Sequence, residues 1–325
     1  MKIPIPLLLL FACAMPAQTQ AQTQAPAQNY PTRIVRIVVP FPAGGPVDTF
    51  ARQLAQKLTE ALGQQFLVEN RAGGNTLIGT DSVAKAVPDG HTLLVTASSF
   101  ITTPMLNKAP YDAMKDFSHI AFLARAPLAV VVYPQLPVSN VRELVEYGRK
   151  NPDKMTFGIG SVGAPAHLAQ EVFMRKAGMP MIMVPYKGTT PIFQDLIGGQ
   201  IAGTFEPVLG AMPYIQSGRV KSLAVTSLKR IAALPNVPTV DESGTPGFEA
   251  YTWYGMWGPA GMPAEVVKKL NDETNKALRA PDLRDRLEKI GFEIEPGTPE
   301  RFIKFLQDDA AQAAAIIREA NIKAQ

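Results

Sequence analysis

A short apolar run, a loop rich in glycine or proline and an amphipathic helix recur in that order along this chain, and that recurrence restricts it to an α/β architecture. Residues 33–39 (RIVRIVV) are mostly apolar, as expected for a strand buried on both faces of a parallel sheet. The loop 40–47 (PFPAGGPV) follows, and then Phe50, Leu54, Leu58 and Leu62 repeat at i+4 beside Ala51 and Ala55 until Gly63 stops the helix. Asp48 or Thr49 is expected to cap it. Gly73-Gly74-Asn75-Thr76 opens a second helix that Pro88-Asp89-Gly90 closes, and residues 91–97 (HTLLVTA) make the next strand. Further strands are expected at 128–132, 155–159, 183–185, 201–205 and 221–226, with helices from Ser139 or Asn140, from Pro165 and from Thr190-Pro191. The last part is mostly helix, over 263–278 and from Thr298, with Pro299 in the first helical position.

Nearly 300 of the 325 residues are used in this way, more than one sheet comfortably holds. We therefore expect two α/β lobes built on open parallel sheets, with the C-terminal helices returning to the first lobe. Proline is present at 29 of 325 residues, about 9% against a usual ~5%, without period or tract, so it marks boundaries between many short elements. A single cysteine excludes a disulfide scaffold. Three scattered histidines leave little for a zinc or iron site. The net charge of +4 comes from 32 basic and 28 acidic residues with no basic run, which argues against a nucleic-acid surface.

The N-terminus reads as an export signal. Met1-Lys2 precedes about ten apolar residues, too few to span a bilayer. Ala12-Cys13-Ala14 and Thr19-Gln20-Ala21 are candidate cleavage sites. Leu10-Phe11-Ala12-Cys13 approaches a lipobox, so a lipid anchor on Cys13 is the alternative, with Phe11 fitting it poorly. Residues 14–29 are Ala/Gln/Thr/Pro-rich and cannot bury a core.

Two loops can do chemistry. Pro42-Ala43-Gly44-Gly45-Pro46-Val47-Asp48 lies between a buried strand and a helix start, where unpaired N–H groups and the helix dipole favour an anion. The same residues also suit a plain tight turn. Gly158-Ile159-Gly160-Ser161-Val162-Gly163 spells G-x-G-x-x-G between a strand and a helix. A dinucleotide site needs an acid at the end of the next strand, yet that strand leads into Val184-Pro185-Tyr186-Lys187. A second anion-binding helix start is the better reading. Ser161 has no nucleophile-elbow glycine two residues before it and no histidine in triad order, and His91, His119 and His167 share no metal spacing. His167 and Glu171 form an ordinary i, i+4 pair. The aromatic segment 251–257 reads as core or pocket wall. Nothing requires an enzyme or a cofactor, and a receptor closing two lobes on its solute fits the whole pattern.

The same residues resemble the periplasmic solute-binding proteins of tripartite tricarboxylate transporters, the Bug family. The likeness runs from about Tyr30 to Gln325. It is carried by Val38-Val39-Pro40-Phe41-Pro42-Ala43-Gly44-Gly45-Pro46-Val47-Asp48, Asn70-Arg71-Ala72-Gly73-Gly74 and Ala86-Val87-Pro88-Asp89-Gly90-His91. It continues in Gly160-Ser161-Val162-Gly163 with His167-Leu168, Val184-Pro185-Tyr186-Lys187-Gly188, Asp195-Leu196-Ile197-Gly198-Gly199-Gln200 and Leu234-Pro235-Asn236-Val237-Pro238-Thr239.

The resemblance implies a two-lobed type II periplasmic-binding-protein fold (a Venus flytrap). Residues 29–127 and 253–325 would form one lobe, residues 128–252 the other, and residues 1–28 a signal and leader. It implies a monomer that carries a small carboxylate to large and small membrane subunits. The ligand carboxylate would sit on Phe41, Ala43, Gly44, Gly45, Val47 and Asp48. Opposing contacts would come from Ser98 and Ser99, from Ser161, Val162, Gly163, Ala164 and His167, and from Thr189 and Thr190. This chain departs from the family pattern at Ala164-Pro165, Ala202 and Glu206. Glu206 would reach into the cleft, read a ligand amine or serve as a cap. A periplasmic enzyme and a ligand sensor using the same cleft are the alternatives to a transport receptor.

Overall fold

The computed structural model describes residues 29–186 and 188–323. The presequence, Cys13, the leader and Lys187 lie outside the described residues. The strand expected at 33–39 is β1 (Val35–Val39), followed by α1 (Pro46–Leu62), β2 (Phe66–Asn70), α2 (Leu77–Ala84), β3 (Thr92–Ala97) and α3 (Ser99–Leu106). A 16-residue strand, β4 (Phe117–Val132), leads into α4 (Val141–Lys150), β5 (Thr156–Ile159), α5 (Pro165–Ala177) and β6 (Ile182–Pro185). Then come α6 (Thr189–Ile197), β7 (Gly203–Pro207), α7 (Val208–Gln216), β8 (Lys221–Val225) and β9 (Tyr251–Pro259). Three helices close the chain: α8 (Ala264–Arg279), α9 (Pro281–Lys289) and α10 (Pro299–Glu319).

The strands run in the order β2-β1-β3-β9-β4-β7-β5-β6, with β8 also on β4. The βα units make parallel pairs, β1 with β2 and β3, and β5 with β6 and β7. The sheets are mixed rather than wholly parallel, because β4 and β9 run antiparallel to their neighbours. β4 takes part in both sheets. Residues 117–127 pair with β9, and residues 128–132 pair with β7 on one side and β8 on the other.

The core changes where β4 changes partners. Up to Ala126 its buried residues join Ile37, Phe50, Leu54 and Tyr254 on one face, or Leu94, Phe100, Trp257 and Phe302 on the other. From Leu128 onward the alternation of the strand is explicit. Leu128, Val130 and Val132 pack with Phe157, Phe173 and Phe205, while Ala129 and Val131 pack with Ile192, Phe193 and Val208. The aromatic segment is β9 itself, and Trp253, Tyr254 and Trp257 are core residues. Helices α8 to α10 return to the first half, with Leu270, Leu278, Leu287, Phe302 and Leu306 in its cores.

Candidate site at the glycine loops

Helix α1 begins earlier than expected. Pro46 is its first residue and Gly45, not Asp48 or Thr49, is its N-cap. Asp48 is therefore inside the first turn, buried, and its carboxylate gathers three donors. Gly44 N–H donates to Oδ2 at 2.8 Å, Arg52 Nε at 3.0 Å, and Asn70 Nδ2 to Oδ1 at 2.9 Å. Burial alone would raise the Asp48 carboxyl, but the hydrogen bonds from Arg52, Gly44 and Asn70 outweigh it and hold the group below its ordinary range. Asn70 also donates to Phe41 O at 3.1 Å, fixing the other end of the loop to β2. Gly44 sits at φ +81°, a left-handed conformation that glycine adopts without penalty.

The second loop repeats this construction. Pro165 opens α5 and Ala164 is the N-cap. Gly163 sits at φ +79°, and its N–H donates to His167 Nδ1 at 2.9 Å. In both loops a left-handed glycine is tied to the side chain four residues on, and proline fills the first helical position between them. Burial pushes the His167 imidazole down to about 4, so the ring is neutral and its Nδ1 accepts. The histidine that the sequence offered as a ligand contact uses Nδ1 to hold the loop, and its Nε2 lies 3.5 Å from Glu171 Oε1, the i, i+4 pair read in the sequence. Its bond to Gly163 could be read from the sequence only by aligning the two loops, Gly44-Gly45-Pro46-Val47-Asp48 with Gly163-Ala164-Pro165-Ala166-His167.

These caps leave a definite set of donors. The N–H groups of Val47 and Asp48 at the start of α1, and of Ala166 and His167 at the start of α5, have no acceptor among the described residues, and neither do those of Ala43, Ser161 and Val162 in the loops before them. The positive ends of both helix dipoles lie behind them. Ala43 and Gly44 are exposed, Gly45 half-buried, and Val47 buried.

Several expected residues come together across the two halves. Ser98 caps α3 and is buried, with Oγ 3.2 Å from Thr252 Oγ1 of β9, while Ser99 Oγ is buried with no hydrogen-bond partner. Leu106, at the far end of α3, lies where a side chain on Gly163 would have to go. Thr189 Oγ1 donates to Glu206 Oε2 at 2.9 Å. That oxygen and Pro46 Cγ each lie 4.0 Å from the position a Cβ on Gly210 would take, so the first loop and the Glu206 carboxyl flank one small volume. Thr190 is exposed and makes no side-chain hydrogen bond among the described residues. A depression of about 450 Å³ lined by Asn271, Asn275, Arg279, Thr298 and Arg301 contains none of these loop residues. Its asparagines are already bonded to the carbonyls of Ile120 and Gly297.

No group of three or more His, Cys, Asp or Glu able to hold a metal occurs among the described residues. The unpaired donors suit an anion, and the buried carboxyl and hydroxyls suit a ligand with polar groups at both ends.

Comparison with known proteins gives the same assignment. Residues 50–322 match the tripartite tricarboxylate transporter family receptor. Protein BugT of Bordetella pertussis is 33% identical over 300 residues, covering 91% of this chain and 92% of that protein. Among solved structures, R. palustris Rpa4515 with adipate is 33% identical with a TM-score of 0.86, covering 91% of this chain and 100% of that one. The periplasmic binding protein BugD is 38% identical at a TM-score of 0.82, with 91% and 100% covered. MatC (Rpa3494) from Rhodopseudomonas palustris with bound malate is 29% identical at a TM-score of 0.78, with 89% and 100% covered. With an α/β periplasmic-binding-protein fold, two capped glycine loops and a match over most of its length, the chain belongs to the tripartite tricarboxylate transporter receptor family, whose members bind solutes for transport and are not enzymes.

Proposed function

We propose that this receptor captures a small dicarboxylate between two lobes, residues 29–127 with 253–325 and residues 128–252, and hands it to the large and small membrane subunits of a tripartite transporter. The observation that carries the proposal is the pair of matched loops, each presenting unpaired N–H groups at a helix start. One ligand carboxylate lies on residues 41–48. The opposing groups come from Ser98 and Ser99, from residues 161–167, and from Thr189 with Glu206. Relatives solved with adipate and with malate support a ligand with two carboxylates. The receptor works outside the cytoplasmic membrane as a monomer, a reading that the basic and apolar first residues of the sequence support.

A thermal-shift screen against mono-, di- and tricarboxylates, amino acids and aromatic acids tests the reading. A ligand at 100 times its Kd stabilises the chain by about 2.7 kcal/mol. For a protein of this size that corresponds to a rise in Tm of roughly 4 °C. Dicarboxylates are expected to give the largest rise. If no carboxylate shifts the transition while a solute without an acid group does, the reading is wrong.

A further inference from the structure

Glu206 is an unusual residue to find beside an anion site. It is the last residue but one of β7, is 3% exposed, and pairs in register with Ala129 of the shared strand β4. Among the described residues, Thr189 of α6 bonds its carboxyl, Gly210 of α7 and Pro46 of α1 border the same small volume, and Tyr254 of β9 feels its charge. Of these only Tyr254 titrates. Its buried hydroxyl is held well above the ordinary phenol range, by burial first and also by the charge of Glu206. Asp48, two residues beyond Pro46, is occupied by Gly44, Arg52 and Asn70. Among the described residues no Lys, Arg or His bonds to Glu206. Oε2 accepts from Thr189, and Oε1 has no hydrogen-bond partner among the described residues.

A carboxylate ligand drawn onto the α1 N-terminus enters this same volume. Two ionised carboxyl groups within hydrogen-bonding reach of each other repel strongly, and such pairs keep one proton between them. We propose that Glu206 meets the ligand as a carboxylic acid, its Oε1–H donating to an oxygen of the ligand's far carboxylate while Thr189 holds Oε2. Above neutrality the proton is taken from solvent as the ligand binds, so capture consumes a proton. The ligand class narrows to solutes with a hydrogen-bond acceptor at the far end and no ammonium group there. Burial pushes the Glu206 carboxyl up to about 7 in the free protein, against a smaller downward effect of the Thr189 hydroxyl, so the acid form is present near neutral pH.

This inference rests on the carboxylate reading of the site, and calorimetry separates the two. Adipate, malate and aspartate are titrated into the full chain from pH 6 to 9. When only the acid form is competent, the apparent Kd is the intrinsic value divided by the acid fraction, so it rises roughly 100-fold by pH 9. At pH 8, heats measured in two buffers of different ionisation enthalpy are expected to report uptake of close to one proton per dicarboxylate. Glu206→Gln, whose amide N–H also donates, flattens the pH profile and abolishes the uptake. Glu206→Ala weakens adipate binding at pH 6, and its thermal unfolding checks that it is folded. Dicarboxylate binding whose steepness with pH is the same in wild type and Glu206→Gln overturns the proton role while leaving the carboxylate reading intact. Aspartate binding that tightens as pH rises, and is lost in Glu206→Gln, identifies an ionised Glu206 reading an amine and also overturns it. A wild-type chain that binds none of the three overturns both.

Discussion

Adjacent glycines in the first loop have different duties, and their backbones say which is which. Gly44 is at φ +81°, where any side chain is strained, although a Cβ there would meet nothing. Gly45 is at φ −76° and ψ 173°, an extended conformation open to every residue, and its Cβ would lie an unremarkable 3.5 Å from Pro42 O. Gly44→Ala is thus expected to lower unfolding stability by about 1–2 kcal/mol. Gly45→Val should cost less than about 1 kcal/mol yet weaken carboxylate binding at least tenfold, because its bulk covers the N–H groups offered to the anion. Urea denaturation and calorimetry on both variants check the contrast. Equal affinities for Gly45→Val and wild type would move the anion away from this loop.

At the scale of elements, the first turns of α1 and α5 explain what could be read from sequence and what could not. Leu54 and Leu58 at i+4 intervals place α1, Thr298 is seen to accept from Arg301 N–H as a cap does, and Asn140 likewise accepts from Glu143 N–H. These are local signals. Asp48 has the composition of an N-cap, but Pro46 pre-sets helical φ two residues earlier and moves Asp48 inward, where a tertiary partner, Asn70, decides its role. Helix α3 has no local signature, because Ser99 and Thr103 are poor helix formers and Pro104 lies inside it, so burial rather than propensity makes that helix. Strand β4 was read only over its last five residues because bulges near Ala121 and Ala124 interrupt its pairing with β9. Asp48→Ala strands three donors at once and is expected to cost about 2–4 kcal/mol, and to weaken binding through the loop it no longer holds. His167→Ala strands the Gly163 N–H and removes the ring nitrogen beside Glu171, and should cost about 1–2 kcal/mol. Chemical unfolding of the pair gives the order, and the reverse order would contradict the role given to Asp48.

The whole molecule answers acid through buried histidines. Burial pushes both His119 and His167 down to about 4, against 6.5 for the unfolded chain. As pH falls from 6.5 toward 4 the unfolded state takes up protons first, and each histidine withdraws stability on the order of 3 kcal/mol across that window. Glu206 works in the opposite direction, since its folded value is raised and its contribution is lost as pH climbs through about 7. His119 packs against Phe302 and its Nδ1 is buried without a partner, so His119→Phe removes one proton acceptor without stranding a donor. The Tm of that variant, followed from pH 7 to 4, is expected to fall less steeply than that of wild type. An unchanged slope would mean that His119 charges as readily folded as unfolded.

With the Asp48 carboxyl held low and the His167 ring held neutral, the two caps keep a constant charge pattern between about pH 5 and 9. For anyone turning this chain into an optical sensor, that constancy separates two adjustments usually entangled. On the proposed reading, the loops set whether a signal arises, and a single side chain opposite them sets the acidity range over which it is read.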